Sequence, residues 1–422
     1  MTQEDHRARV PDHRLRRMTG RDPHERFRVA TPLELLFDLT FVVAFGVAAS
    51  EFAHALAENH VGSGLLAFVF ATFAVWWAWI NFSWFASAYD TDDWVYRLTT
   101  MVQMVGVVIL ALGLPQTFAS VVKGHYIDNR IMVAGYVVMR IAMVAQWLRA
   151  AKQDPVHRPA CLTYAVNVTI AQIGWVGLFI AHTTFGVTLV FVCLLIGVEL
   201  LGPLIAETRK GGTPWHAHHI AERHGLLTII ALGEGVIGTV ASVSAVVSAQ
   251  GWSVDAALVA LAGIGLTFGM WWTYYVIPAA PLLHVHRQRS FTFGYLHFPI
   301  IIGIVGTGAG LHAAAYYIEH HSKLGSAATV LTVAVPVAAY LATVYLLYML
   351  LVHTRDAFHV LLVVLTAVVL VAAVGLAAAG LSMPVCLLIV TLAPVVTVVG
   401  FELFGYRHAT EAANRSLADG TT

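Results

Sequence analysis

Twelve apolar runs, each long enough to cross a bilayer, leave this chain almost no freedom over its fold class. They fall at about 32–54, 64–86, 98–120, 130–149, 160–181, 185–206, 224–247, 254–277, 293–317, 326–352, 358–379 and 383–405, against the ~20 residues that a spanning helix needs. Of the 422 residues, 58% are hydrophobic and 11% charged, with a mean hydropathy of +0.74. A soluble domain has no use for so much apolar sequence, so the predicted fold is an all-α polytopic membrane protein of about twelve transmembrane helices. Only His182–Thr184 separates the fifth run from the sixth, which predicts a tight helical hairpin.

Lys and Arg predict the orientation. If the N-terminus is cytosolic, 20 of them lie on the inner side, three outside (Lys123, Arg130, Lys323) and Arg140 within the membrane. That asymmetry predicts two cytosolic termini, in a cytoplasmic membrane. Residues 1–30 are polar and Arg-rich without an apolar signal core, and are expected to form a disordered cytosolic tail. The remaining chain divides into a first six-helix half at 31–206, a cytosolic linker at 207–223, a second six-helix half at 224–406 and a C-terminal tail at 407–422. Three correspondences in the same order argue that the halves are a parallel internal duplication: Asp38 with Glu234, Trp76-Trp77 with Trp271-Trp272, and the Glu-Leu-x-Gly echo of Glu199 and Glu402.

The chemistry is concentrated in a few charged residues placed within or beside the spans. Thr31, Pro32 and Glu34 read as N-cap, first helical residue and capping-box glutamate. Asp38 stands one turn deeper on the same helix face, where no cap explains it. An ionisable group inside a span costs about 2.5–3.5 kcal/mol on insertion scales and normally has a partner or a task. Glu199 and Glu234 also lie within spans, and Glu402 ends the last. Arg140 is expected to face the bundle and meet one of these acids. A structural staple and an acid-lined pathway both fit this set. Glu222 and Arg223 sit at the entrance to the seventh span, and Gln103 and His297 are near-equivalent polar residues just inside the third and ninth.

The 21 histidines fall largely in loops, and although His216 and His218 have chelate spacing, no Cys or acidic set completes a site. No metal and no cofactor is therefore expected. Cys161, Cys193 and Cys386 sit in apolar runs and offer no disulfide framework. Interfacial belts are the default account of the tryptophans, with an aromatic lining at Trp76, Trp77, Trp271 and Trp272 as the alternative. A net charge of zero argues against nucleic acid as a partner. The absence of Walker, Asp-rich, His-Glu-x-x-His and Gly-x-Ser-x-Gly motifs argues against ATP-driven transport and standard hydrolysis.

Two stretches, PLELLFDLTFVVAF at 32–45 and ERHGLLTIIALGEGVIG at 222–238, resemble the signature segments of the bacterial low temperature requirement A (LtrA) family. The resemblance implies family positions for Glu34, Asp38, Glu222, Arg223 and Glu234, and departs from the usual pattern at Leu36 and Gly235. The Phe37-Asp38-Phe41 pattern is also similar to one in a potassium-channel family with duplicated six-helix halves. Three functions follow from these readings. The first is transport or conduction of a small solute or cation, with Asp38 and Glu234 exchanging protons. The second is an embedded enzyme in which one of those acids protonates a lipid or isoprenoid. The third is a stress-adaptation scaffold. The partners expected are the bilayer and a small solute, cation or lipid-like substrate; oligomeric state is left open.

Overall fold

A computed structural model describes residues 14–23, 25, 28–124, 126–352, 357–405 and 410–411. Residues 1–13 and nearly all of the 407–422 tail lie outside the described residues, as do Arg7, Arg9, Arg26, Arg355, Arg407 and Arg415 of the charge tally. The described chain is all-α, with helices α1 (Pro32–Ala57), α2 (Val61–Tyr89), α3 (Trp94–Lys123), α4 (Arg130–Gln153), α5 (Arg158–Ile180), α6 (Phe185–Arg209), α7 (Ala217–Gln250), α8 (Val254–Tyr275), the short α9 (Ala279–Val285), α10 (Ser290–Ile318), α11 (Ser326–Val352), α12 (Ala357–Ala378) and α13 (Met383–Gly400). All but α9 are long and apolar enough to span, so the protein is a multi-pass membrane protein. Helix α7 begins at Ala217, seven residues before the apolar run, because His216 caps it by accepting from the His219 backbone N–H. Helix α1 begins at the Thr31 capping box, with Glu34 bonding back to the Thr31 N–H at 2.6 Å.

Successive helices run up and down, so the N-terminus of α1 and the C-terminus of α2 share one end of the bundle, here called the basic end. Helices α1, α2, α7 and α10 meet at the centre, and α1 against α7 and α10 forms the main seam between α1–α6 and α7–α13. Helix α1 packs on α2 and α3, α3 on α4, α4 on α5 and α5 on α6, while α7 packs on α8 and α10, α10 on α11, α11 on α12 and α12 on α13; α8 also packs extensively on α13, a contact that α2 and α6 do not match. Helices α5, α6 and α12 keep most of their apolar surface outward. In lipid such surface has no drive to bury itself.

Helices α3 and α4 approach through glycine. A β-carbon at Gly135 would lie 2.5 Å from the Gly106 carbonyl oxygen and from the Leu110 nitrogen, both backbone atoms that cannot swing away. Gly135→Val is expected to force these helices apart at a cost of about 1–3 kcal/mol, read as a lowered Tm in detergent. An unchanged Tm would show that the pair can slide without loss.

The N-terminal segment departs from the sequence expectation. The described residues between 14 and 31 are packed across the basic end instead of lying free. Met18 is fully buried. The Met18 N–H donates to Gln153 Oε1 at 2.6 Å, the Arg21 N–H to the Ala88 carbonyl at 3.0 Å, and the Ala30 N–H to Glu222 Oε2 at 3.1 Å. Composition signalled disorder because this stretch is polar, but its polar groups find partners on the helix ends.

Candidate functional site

Glu34 and Asp38, one turn apart on α1, both turn inward beneath the N-terminal segment and are fully buried. Asp38 is gripped from α7: Arg223 donates through Nη1 to Oδ2 at 2.9 Å and through Nη2 to Oδ1 at 2.7 Å. From α2, Trp79 Nε1 donates to Oδ1 at 2.7 Å, and Ser83 Oγ accepts a third bond from Arg223 at 3.2 Å. A bidentate guanidinium–carboxylate pair with an indole donor is the geometry that makes a buried charge tolerable. The guanidinium also lies 5.6 Å from the Trp79 ring centroid.

Glu34 is held from the opposite side. Arg28 Nη2 is 3.3 Å from its Oε1 and 3.4 Å from Asp90 Oδ2, and His219 Nε2 lies 2.9 Å from the same Oε1. Arg28 thus plugs the N-terminal segment into the bundle as the counter-charge of two carboxylates. Burial, with Glu34 close by and Arg28 opposing, raises the affinity of Asp90 for its proton. At the rim the reverse holds: although burial works against its charge, Arg149 and the Tyr96 and Arg16 N–H groups hold the Asp93 carboxyl down to about 2. Burial lowers His216, which meets the Glu25 carbonyl at 2.8 Å.

Below Asp38 the seam continues with His224 and His297, whose ring centroids are 4.4 Å apart. Trp79 meets His224 edge-on at 5.0 Å, and Tyr274 Oη lies 2.7 Å from His297 Nε2. Deeper still is Glu234. Its side chain faces Gly46 of α1, where a β-carbon would stand 3.1 Å from Oε1, and its backbone is covered by Gly308 of α10. Gly46 is eight residues past Asp38, so Glu234 lies about 12 Å further along the seam. Glu234 is buried, and its Oε1 has no hydrogen-bond partner among the described residues.

The other expected residues are elsewhere. Arg140 of α4 pairs with Glu199 of α6, donating to Oε1 at 3.0 Å and Oε2 at 2.9 Å. Trp77 Nε1 donates to the same carboxylate at 2.7 Å and Trp175 Nε1 at 3.3 Å. Gln103 bonds Gln146 between α3 and α4. Glu402 lies on the outer surface and accepts from Trp272 Nε1 at 3.0 Å. The buried acids are thus divided between the central seam and the first half, and do not meet in one cavity. The belt reading fails for α2: Trp76, Trp77, Trp79 and Trp84 are all buried, because Trp77, Trp79 and Trp84 carry their N–H groups to carboxylates of other helices. Trp271 and Trp272 do stay exposed.

Sequence reasoning missed Arg28, Asp90, His219 and Glu207. Glu207 accepts from Trp84, Tyr164 and Thr213, an arrangement that polar residues flanking helix ends signal only weakly. Arg28 had one available signal, its position three residues before the cap of the acidic helix.

The family model described as "Bacterial low temperature requirement A protein (LtrA)" matches residues 29–394. A curated protein of Rhizobium meliloti (strain 1021), itself described as uncharacterized, is 25% identical over 309 residues, covering 69% of this chain and 70% of that protein. No solved structure matches. The match begins next to Arg28 and spans the whole central seam.

Proposed function

The chain belongs to the bacterial low temperature requirement A family, and from that premise we propose that it moves a small solute or cation across the bacterial cytoplasmic membrane. Glu234 carries this reading. Among the described residues every other buried carboxylate has a hydrogen-bond or ion-pair partner, whereas Glu234 Oε1 has none. An uncompensated carboxyl at that depth is costly to keep unless it binds something that comes and goes. A proton or a cation is what a carboxylate binds.

In this reading Glu234 is the exchange site, and His224, His297 and Tyr274 are polar stations between it and the basic end. The Asp38–Arg223 pair is a closure beneath the N-terminal segment. A closed ion pair that both halves share can open when the halves rock, which is how duplicated transporters gain alternating access. The partly matching neighbour relations, and the Trp77–Glu199 and Trp272–Glu402 pairs in corresponding places, support a parallel duplication. The positive-inside rule supports a cytosolic basic end. The embedded-enzyme reading has weaker support, because Asp38, one of its two candidate acids, is locked to Arg223, which leaves Glu234 as the acid that reading would need.

Proton and potassium flux into liposomes carrying the full chain tests the proposal. Wild type is expected to conduct or exchange one of them. Glu234→Gln is expected to slow that flux at least about tenfold, the rate equivalent of about 1.4 kcal/mol, with Tm unchanged since no partner is lost. Equal flux in both proteins would remove Glu234 from the pathway. Silence in wild type would move the reading to enzyme or scaffold.

A further inference from the structure

A large apolar chamber lies outside the seam, on the flank of the first half. Helix α6 packs along α5 and is tied to α2 and α10 mainly through long side chains, with Trp77 Nε1 donating to Glu199 at 2.7 Å and Tyr295 Oη to the Leu200 carbonyl at 3.0 Å, leaving a space of about 450 Å³. Phe70, Phe73 and Trp76 of α2 and Phe298 of α10 form its inner wall, and Val192 and Ile196 of α6 form its outer one. Exposed Leu66 and Cys193 flank it, so it opens sideways at the depth where the outer face of α6 presents Val190, Phe191 and Leu194 to lipid. At Ile127 the chamber adjoins a second recess of about 310 Å³ at the end of the bundle opposite the basic end. That recess is far more polar than the chamber, with Asp128, Asn129, Arg130, His182 and Thr183 in its walls beside Leu178 and Phe179. One turn of α6 joins the two, with Thr188 in the recess and Val192 in the chamber.

We propose that the pair of cavities holds one phospholipid of the surrounding bilayer, an acyl chain in the apolar chamber and a zwitterionic headgroup in the polar recess. The walls dictate the occupant. A hydrated solute entering the chamber would exchange its water for aromatic and aliphatic carbon, which its polar groups oppose and an acyl chain favours. The sideways opening admits a chain directly from lipid. The recess is electrically balanced, because Arg130 bonds Asp128 through Nε at 2.9 Å and Nη2 at 2.9 Å. A headgroup carrying both charges matches such a surface, and a purely anionic one does not. The polar and apolar parts are joined end to end, as they are in the lipid itself. Such a lipid would also fill the gap beside α6, and so brace the helix that carries Glu199.

Two measurements on the full chain test this. In native mass spectrometry from mild detergent, wild type and Val190→Trp, altered on the lipid-facing side of α6, are expected to retain one phospholipid per chain. Val192→Trp and Ile196→Trp, which fill the chamber, are expected to lose it. Retention in folded filling variants equal to wild type would overturn the proposal, as would a retained apolar molecule without a phosphate headgroup. The second measurement needs no variant: a phosphatidylcholine with a diazirine on one acyl chain is photolysed in vesicles with wild-type protein. Adducts are expected on Phe70, Phe73 and Ile196 in excess of those on exposed Val363, Val364 and Val368 of α12. Adducts no more frequent on these chamber residues than on α12 would overturn it.

Discussion

Arg223→Leu is expected to cost about 3–5 kcal/mol, enough to leave much of the protein unfolded in detergent. The substitution removes both donors of the bidentate pair and leaves Asp38 fully buried, with Trp79 Nε1 as its remaining hydrogen bond. It also strips a positive charge from beside Glu34, whose other counter-charge, Arg28, lies 3.3 Å away. The double variant Asp38→Asn, Arg223→Gln is expected to recover more than half of the loss, because two neutral amides restore hydrogen bonding without stranding a charge. Tm and fluorescence-detected gel filtration of the three proteins read the effect. A double variant no better than the single one would mean that Arg223 acts through packing on Trp79 and not through Asp38.

The second large effect falls on the Arg140–Glu199 pair, and it is asymmetric. Glu199→Leu leaves Arg140 buried beside the Tyr136 ring at 5.3 Å, with Nη1 already unpartnered among the described residues. That stranded guanidinium is expected to cost about 3–5 kcal/mol. In Arg140→Met the carboxylate keeps two indole N–H donors, Trp77 at 2.7 Å and Trp175 at 3.3 Å. The loss should then lie nearer the 1–3 kcal/mol expected of one missing charge-assisted bond. Thermal unfolding of the two variants in the same detergent decides the order. If Arg140→Met proved the more damaging, the indoles would contribute little to holding Glu199.

The two pairs differ from Glu234 in what they predict together. Substitutions that break a pair should lower Tm, while Glu234→Gln should leave Tm alone and change flux. A scaffold would show the first pattern without the second. That contrast separates a charge kept for cohesion from one kept for exchange.

Local features of this chain were legible without the fold. Span lengths follow from the bilayer's demand that every backbone polar group be satisfied within the helix, so apolar runs mark them directly. The Thr31-x-x-Glu34 box is likewise a contact between residues three apart, and it forms as the spacing requires. The seam was legible in its members but not in its pairings. Glu34, Asp38, Arg223 and Glu234 stand out because charge in an apolar stretch is costly. Which acid meets which arginine depends on the rotation and depth of helices that the chain does not join directly. Asp38 and Arg223 are 185 positions apart, and Arg140 and Glu199 are 59. The α2 tryptophans show the same limit, since an indole at a helix end serves a belt or a buried carboxylate with equal ease until its neighbours are known. Composition misread residues 14–31 for a related reason: hydrophilic sequence costs nothing in water, and only the buried carboxylates of α1 and α2 give Arg28 a reason to leave it. Sequence by itself therefore determined the number and type of elements and the residues that bear charge, because those are set by local backbone and solvation physics. The tertiary structure alone decided the ion pairs, the solitary Glu234 and the apolar chamber, because each is a relation between surfaces brought together by packing.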